Sequence, residues 1–164
     1  MLYLRDCRSI DDAALFKLVQ LDFWRNLDGT SFRIYAHTEP PDAQHWETLE
    51  LINDLQGSST GLTAKFHYVV ETDVAKENEV ELNQWYDTEH LRGLAQVAGT
   101  VRARRFRRTQ GSPKYLACYD LTSAEAIHSN SWLRVRSTPW SSRVRPNFQN
   151  ARRTMYTRLE LGAT

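Results

Sequence analysis

Residues 65–99 read KFHYVVETDVAKENEVELNQWYDTEHLRGLAQVAG, and this stretch decides the fold. Its first nine residues, 65–73, are rich in aromatic and β-branched side chains that alternate, which predicts a strand. Asn78 followed by Glu81 resembles a capping box, so a helix is expected to begin there and to end before Gly99. The stretch therefore predicts one strand followed by one helix.

The residues after position 99 predict two strands, a second helix and a last strand. The two strands are residues 100–108 and 114–121, on either side of the turn-forming residues 110–113. A short helix is expected at about 122–133, and after an arginine-rich loop residues 153–161 form the last strand. The order β-α-β-β-α-β is that of the ferredoxin-like unit, an α+β fold with both helices on one face of the sheet.

That unit leaves the other face of its sheet uncovered, which a second sheet would bury. The second sheet comes either from another copy of the chain, which predicts a homodimer, or from within the chain. We expect a boundary between residues 1–64 and 65–164, the first part being an α/β extension or a degenerate half-repeat of the second. The first part predicts a helix at 11–26, a strand at 32–37, a helix at 44–55 and a linker at 57–61.

The composition is that of an ordinary soluble domain. The chain has 164 residues, of which 41% are hydrophobic and 25% charged, and its net charge is +1. Arginines are dense in residues 102–108 and 134–153, which favours a local anion site over a surface for a polyanion. Two cysteines indicate free thiols in a reducing compartment, and no apolar run is long enough to span a membrane. We therefore expect a cytoplasmic protein with no membrane or nucleic-acid partner.

One face of the first helix combines apolar and proton-active side chains. At 100° per residue, seven residues share one broad stripe: Leu82, Trp85, Tyr86, Glu89, His90, Leu94 and Val97. A polar group inside such a stripe must be paired, hydrated or functional, because unpaired burial costs on the order of 1 to 3 kcal/mol.

Two interpretations of this cluster remain open. In the functional one, His90 transfers a proton, Glu89 holds its tautomer or acts as a second base, and Tyr86 supports a developing oxyanion. In the structural one, His90 and Glu89 bond to backbone or arginine, and Trp85 belongs to the core.

Four segments resemble the EthD-like branch of the dimeric α+β barrel proteins: Trp85-Tyr86-Asp87-Thr88-Glu89-His90-Leu91, Ala103-Arg104-Arg105-Phe106, Pro113-Lys114-Tyr115-Leu116-Ala117 and Thr138-Pro139-Trp140. The resemblance covers about residues 65–161, and its first segment is the most specific. It implies ferredoxin-like units whose open sheets face each other and enclose a cavity. Related barrels include cofactor-free cyclases, isomerases and decarboxylases and haem-degrading monooxygenases. The chain departs from the EthD-like pattern at Arg92-Gly93, where that pattern often has proline.

Further residues are candidates for substrate binding. Trp85 and Tyr119 are expected to form pocket walls. His67 would join the site if its face of the strand lines the cavity; otherwise Tyr68 would line it. Arg105 shares its face with small apolar residues and would bind a substrate carboxylate or enolate.

The sequence supports no metal site and no organic cofactor, since its histidines lack ligand spacing and nucleotide-binding glycine motifs are absent. The hypothesis is a cofactor-free lyase or isomerase. It would use acid-base chemistry to isomerise, cyclise, dehydrate or decarboxylate a small aromatic or polyketide-like acid. The alternatives are a haem-dependent monooxygenase, with a histidine ligand, and a non-catalytic protein that binds a small molecule.

Overall fold

The computed structural model describes residues 1–10 and 20–159, which form a closed barrel of eight antiparallel strands. The strands are β1 (Leu2–Cys7), β2 (Leu21–Asn26), β3 (Phe32–Ala36), β4 (Glu47–Gln56), β5 (Phe66–Asp73), β6 (Thr100–Arg108), β7 (Tyr115–Leu121) and β8 (Gln149–Arg158). Around the barrel they follow the order β1-β3-β2-β8-β5-β7-β6-β4, and β4 pairs with β1. The predicted α+β barrel is confirmed.

Short helices cover the outer face of strands β5 to β8. They are α1 (Glu79–Trp85), α2 (Leu91–Ala95), α3 (Asn130–Arg136) and α4 (Pro139–Val144), and a π-helical turn, Tyr86–His90, joins α1 to α2. Short 3-10 turns occur at Ala43–His45, Lys76–Asn78, Ala124–His128 and Arg145–Asn147. None of the helices in the described ranges is long and apolar enough to cross a membrane.

The two halves of the barrel have the same strand order. The first half runs β4-β1-β3-β2 and the second β8-β5-β7-β6, so each places its four strands in the order fourth, first, third, second. The halves join edge to edge, through a long β4–β6 ladder and a short β2–β8 ladder. This order agrees with a degenerate half-repeat, and the barrel closes within one chain. The division into two domains stays a prediction.

Sequence analysis misassigned parts of the first half. The helix expected at 44–55 is strand β4, and residues 21–26 of the helix expected at 11–26 form β2, while residues 11–19 lie outside the described residues. The strand expected at 32–37 is confirmed as β3. Residues 47–56 are rich in Leu and Glu, which favour helix locally, but β4 pairs with β1 and β6 on its two edges, and this pairing overrides the local preference.

The predicted linker at residues 57–61 is instead packed against β6. Gly57 N donates to the carbonyl of Val101 at 2.9 Å, and Ser59 N donates to that of Thr100 at 2.9 Å. A Cβ atom at Gly57 would lie 2.0 Å from the Thr100 carbonyl oxygen, so only glycine permits this approach. The connection between the halves is therefore built into the barrel.

The barrel interior is filled with side chains, which corrects the expectation of a cavity between facing sheets. Its middle is an apolar core that includes Leu4, Leu49, Val69, Phe106 and Leu116. Charged networks occupy both ends: Arg33, Glu71 and Arg108 at one, and His67, Arg104 and Asp120 at the other. The homodimer was expected because one face of the second-half sheet needed a cover. In this barrel the strands of the first half cover that face. The homodimer stays a prediction.

Candidate active site

The helix that carries the predicted cluster contains one extra residue in its π-helical turn. Leu91 N–H donates to the carbonyl of Tyr86, five residues back instead of four. The insertion rotates the later residues of the helix by about 100°. Leu91 and Ala95, which the helical stripe excluded, are consequently buried, and Glu89, which it included, is only half-buried. π-Helical turns are frequent at functional sites, and here the turn carries both Tyr86 and His90.

His90 is buried and its ring is held by aromatic neighbours. The imidazole stacks on Trp85, with ring centroids 4.0 Å apart, and meets the edge of Tyr86 at 5.4 Å. Its Nδ1 atom is buried without a hydrogen-bond partner among the described residues. Burial, together with the cations Arg145 and Arg136, lowers the pKa of His90 to about 3. His90 is therefore a neutral imidazole at physiological pH.

Two tyrosines, Tyr86 and Tyr119, line the same pocket as the histidine. Burial raises the pKa of Tyr86 to about 12 and raises that of Tyr119 well above its usual value, so both phenols keep their protons. The Tyr119 hydroxyl is also buried without a hydrogen-bond partner among residues 1–10 and 20–159. Its ring packs edge-on against Trp132, at 5.1 Å between centroids.

These residues line a small pocket between the helices and the outer face of the sheet. The lining also includes Tyr68 and Val70 from β5, Leu94, Trp132, Arg136, Arg145, Phe148 and Arg153. The cavity volume is about 20 Å³, room for a single water molecule. A substrate can therefore enter only if side chains at the mouth move.

Three arginines of this lining are without acidic partners. Arg136 lies at the end of α3, Arg145 begins a 3-10 turn and Arg153 is on β8. No carboxylate of the described residues lies within ion-pair distance of any of them, whereas most other arginines of the chain are paired. After burial, the charges of Arg136 and Arg153 contribute to lowering the pKa of Arg145, so the three cations are close enough to repel one another.

Glu89 does not orient His90, in contrast to its predicted role. Its Oε1 accepts a hydrogen bond from Thr138 Oγ1 at 2.6 Å, and Thr138 is the N-cap of α4. Glu89 thus ties the π-helical turn to the segment that leads to Arg145.

Arg105 is completely buried, but on the helix side of the sheet and not on the inward, cavity-lining face that its small neighbours predicted, and it does not line the pocket. Its guanidinium lies 4.0 Å from the ring centroid of Tyr86, and its Nη2 donates to Asn83 Oδ1 at 2.9 Å. Arg105 therefore positions Tyr86, and the prediction that it binds a substrate anion is not supported by this geometry.

His67 faces the barrel interior, so it does not join the His90 site. Its Nδ1 is 2.7 Å from Asp120 Oδ1, its Nε2 is 2.9 Å from the Tyr35 hydroxyl, and its ring stacks on Trp24. Burial lowers the pKa of His67, although Asp120 opposes this. Tyr68, on the other face of β5, lines the pocket, which was the alternative left open.

A larger pocket, of about 870 Å³, lies at one mouth of the barrel. Its charged groups pair with one another or with near neighbours: Arg104 with Asp120 at 2.8 Å, and His37 with Asp22 at 2.9 Å. It contains none of the predicted site residues. The smaller pocket is lined by four predicted site residues: Trp85, Tyr86, His90 and Tyr119. It is the better candidate because of these residues, and because two of them have buried polar atoms without partners among the described residues. Among the described residues, no three His, Cys, Asp or Glu side chains are grouped as metal ligands.

Sequence reasoning missed Arg136, Arg145, Arg153, Trp132 and Phe148 as pocket residues. The density of arginine in residues 134–153 was a signal for an anion site. It could not show which arginines converge, because that depends on helix α4, which was taken for a loop. The signal for α4 was Thr138 followed by Pro139, an N-cap with proline in the first turn.

No family model and no curated protein sequence matches the chain. Solved structures are similar in fold. A ferredoxin-fold protein from Listeria monocytogenes, related to antibiotic biosynthesis monooxygenases, is 12% identical with a TM-score of 0.70, over 98% of this chain and 96% of that one. A major regulator of staphylococcal pathogenesis is 12% identical with a TM-score of 0.68, over 97% and 99%. A heme-degrading enzyme from Listeria monocytogenes is 8% identical with a TM-score of 0.64, over 95% and 97%. The chain thus shares the α+β barrel fold of these proteins.

Proposed function

We propose that this chain is a cofactor-free enzyme of the EthD-like branch, which transfers a proton of a small aromatic or polyketide-like acid in the His90 pocket. The observation that carries the proposal is that two buried polar atoms of this pocket, His90 Nδ1 and the Tyr119 hydroxyl, have no hydrogen-bond partner among the described residues. Both residues line the same pocket. Because an unmade hydrogen bond in a protein interior is costly, a ligand that offers a donor to one and an acceptor to the other would be favoured.

The protonation states assign the roles. His90 is neutral, which is the form that can accept a proton from a carbon next to a carbonyl group, but a pKa of about 3 makes it a weak base. The proposal therefore requires the bound acid to raise the pKa of His90. The electrons of that bond then move to the carbonyl oxygen, where the Tyr119 or Tyr86 hydroxyl would stabilise the negative charge by donating a hydrogen bond. Glu89 is held by Thr138 and takes no part in this step. Enolate formation is common to isomerisation, cyclisation and dehydration.

The fold shared with a heme-degrading enzyme makes haem the cofactor to test against this pocket. Neutral His90 has the chemistry of a haem ligand, and the arginines would suit the propionates. A cavity that holds one water molecule would have to open much further for a porphyrin than for one compact ring, however, and displacement of Phe148 alone would not make that room, so the residues as arranged do not fit haem. We expect that adding haem to the purified protein gives no Soret band of a histidine-ligated complex. Such a band would contradict the cofactor-free proposal.

The proposal is tested by solvent exchange. Keto acids, with and without an aromatic ring, that are deuterated on the carbon next to the ketone carbonyl are incubated with the protein, and deuterium loss is followed by NMR. His90→Gln should lower the exchange rate by roughly 10²- to 10⁴-fold, the usual effect of a lost acid-base group. Glu89→Gln is the matched control on the same turn and should change it by less than about threefold if Glu89 is uninvolved.

Two results would overturn the proposal: exchange that is unchanged in His90→Gln, and wild-type protein that exchanges no member of the panel. In the second case a non-catalytic binding protein becomes the better interpretation. The fold shared with a staphylococcal regulator is compatible with that outcome.

A further inference from the structure

Positive charge is concentrated at the mouth of the His90 pocket and nothing in the described ranges neutralises it. Arg136, Arg145 and Arg153 come from three separate elements and converge on one opening. Arg145 Nη1 donates to the Arg136 carbonyl at 3.3 Å, which holds the first two together. Like charges brought together without a counter-ion destabilise a fold, so their convergence points to an anion that is bound in function.

We propose that Arg136, Arg145 and Arg153 form a subsite for the carboxylate of a compact aromatic acid whose ring enters the pocket beside His90. This inference rests on the proposed function, because it names the substrate class of the same site. It also replaces Arg105, whose guanidinium packs on Tyr86, as the anion contact.

The walls of the pocket favour an aromatic ring over a bare oxyanion. Trp85, Tyr119, Trp132 and Phe148 present ring faces or edges to the space that a ligand would occupy. Planar rings pack well between aromatic side chains, and guanidinium groups bind carboxylates in the same plane by paired hydrogen bonds. Inorganic phosphate would use the arginines but leave the aromatic walls without a partner.

We expect the entering ring to displace Phe148. Phe148 is half-buried and comes directly after the 3-10 turn Arg145–Asn147. Its ring packs edge-on with that of Trp85, with 6.2 Å between the ring centroids. Phe148 lies just before β8, at the end of the segment that also carries Arg145. We therefore expect the ring to take the place of the Phe148 side chain while the carboxylate binds Arg145.

The bound carboxylate would also change His90. Burial and the positive charges of Arg145, Arg136 and Arg105 disfavour the imidazolium form, and the rings of Trp85 and Tyr86 supply no compensating charge. A carboxylate between the first two arginines offsets their charge, so the imidazole accepts a proton more readily once the acid is bound. The substrate's own charge would thus increase the basicity of the residue that attacks it.

The test measures binding of four probes by titration calorimetry and thermal shift: 1-naphthoate, 1-naphthamide, acetate and inorganic phosphate. We expect 1-naphthoate to bind at least tenfold more tightly than the neutral amide, acetate or phosphate. Arg153→Gln and Arg145→Gln should each weaken 1-naphthoate about 10- to 100-fold, the range for a lost charge-assisted hydrogen bond. Arg153 is exposed, so its replacement should not impair folding.

Arg134→Gln is the matched control, since Arg134 is exposed on the same helix as Arg136 and donates to Ser131 instead of facing the pocket. It should bind 1-naphthoate as the wild type does. Equal binding of naphthoate and naphthamide, or equal effects of Arg134→Gln and Arg153→Gln, would overturn the subsite. Phosphate binding as tight as naphthoate binding would overturn the aromatic substrate class.

A second measurement separates this inference from the proposed function. Imidazole NMR of His90 should show a higher pKa with 1-naphthoate bound than without it, and Arg145→Gln should reduce the difference. Naphthoate binding that needs the arginines, combined with no solvent exchange of any acid, would leave the subsite standing and overturn the catalytic proposal. Solvent exchange that needs His90 but none of the three arginines would support the catalytic proposal and overturn the subsite.

Discussion

At the scale of the residue, the site depends on a histidine that the fold keeps neutral. His90 stacks on the ring of Trp85 and packs edge-on with that of Tyr86. Three arginines from different elements also disfavour its charged form: Arg145, Arg136 and Arg105. Sequence reasoning identified His90, Tyr86, Trp85 and Tyr119, because polar groups in an apolar stripe are conspicuous, and the structure brings these four together around one pocket. It could not identify their partners, since the side of β5 or β6 that faces a pocket does not follow from alternation alone.

The neutral state of His90 has a measurable effect on stability. An unfolded histidine takes up a proton near pH 6.5, whereas folded His90 does so only near pH 3. Between these values the unfolded state binds more protons, so the free energy of unfolding falls as the pH is lowered. Between pH 7 and pH 5, His90 alone should lower the free energy of unfolding by about 2 kcal/mol.

Urea unfolding of His90→Gln and of the wild type at both pH values checks this. The wild type should lose about 2 kcal/mol more than the variant between pH 7 and pH 5. His67 titrates in both proteins, and its contribution cancels in the comparison. Identical pH dependence in the two proteins would show that His90 is not held neutral.

At the scale of the element, the helices show why the second half was easier to predict than the first. Gly99, the predicted end of the helix, lies four residues after the last residue of α2, and its positive φ of 93° turns the chain into β6. The strands at 66–73, 100–108 and 115–121 lie where the alternation predicted them. In these segments local preference and tertiary structure agree. In β4 they conflict, and the single extra residue of the π-helical turn has no signal in the 3.6-residue period.

Close packing of α2 on α3 depends on Gly93, one of the two residues where the chain departs from the EthD-like pattern. A Cβ atom at Gly93 would lie 2.9 Å from Val135 Cγ1, so an alanine must displace a stiff β-branched side chain. We expect Gly93→Ala to destabilise the protein by about 1 to 3 kcal/mol through overpacking. Because Val135 precedes Arg136, the same shift should weaken naphthoate binding.

The matched test of this contact is the double variant Gly93→Ala, Val135→Ala, measured by urea unfolding beside both single variants. Removing the valine methyls should make the alanine at position 93 less costly, so the two effects should not add. Strictly additive losses would mean that the helices separate elsewhere and that Gly93 is not the point of contact.

At the scale of the whole molecule, two half-barrels with little visible sequence similarity are joined by ion pairs across their boundary. Glu71 on β5 of the second half is buried between Arg33 on β3 of the first half and Arg108 on β6. Arg108 in turn contacts Glu47 on β4 of the first half at 2.5 Å. Such long-range pairing has no local sequence signal, which explains why closure within one chain could not be decided from the sequence.

This network predicts that Glu71 is critical for the closed barrel. Burial by itself would raise the pKa of Glu71, but Arg33 and Arg108 outweigh it and the net pKa is lowered, so the carboxylate is ionised above acidic pH. Glu71→Gln would remove the buried carboxylate that Arg33 and Arg108 share. It would leave each arginine with a half-exposed partner, Asp6 for Arg33 and Glu47 for Arg108. Leaving a buried ion with no partner costs roughly 3 to 5 kcal/mol, so this partial loss of counter-charge should cost less than that but more than an exposed pair contributes, about 0 to 1 kcal/mol.

Glu50→Gln is the matched control, because Glu50 on β4 pairs with Arg107 on β6 across the same boundary but on the exposed surface. Urea unfolding at pH 7 should therefore show a loss several times larger for Glu71→Gln than for Glu50→Gln. The difference should shrink as the pH falls through the pKa of Glu71, because protonation removes the same negative charge in the wild type. Equal losses for the two variants would mean that Asp6 and Glu47 fully compensate the charges of Arg33 and Arg108 and that Glu71 is not needed to hold the two halves together.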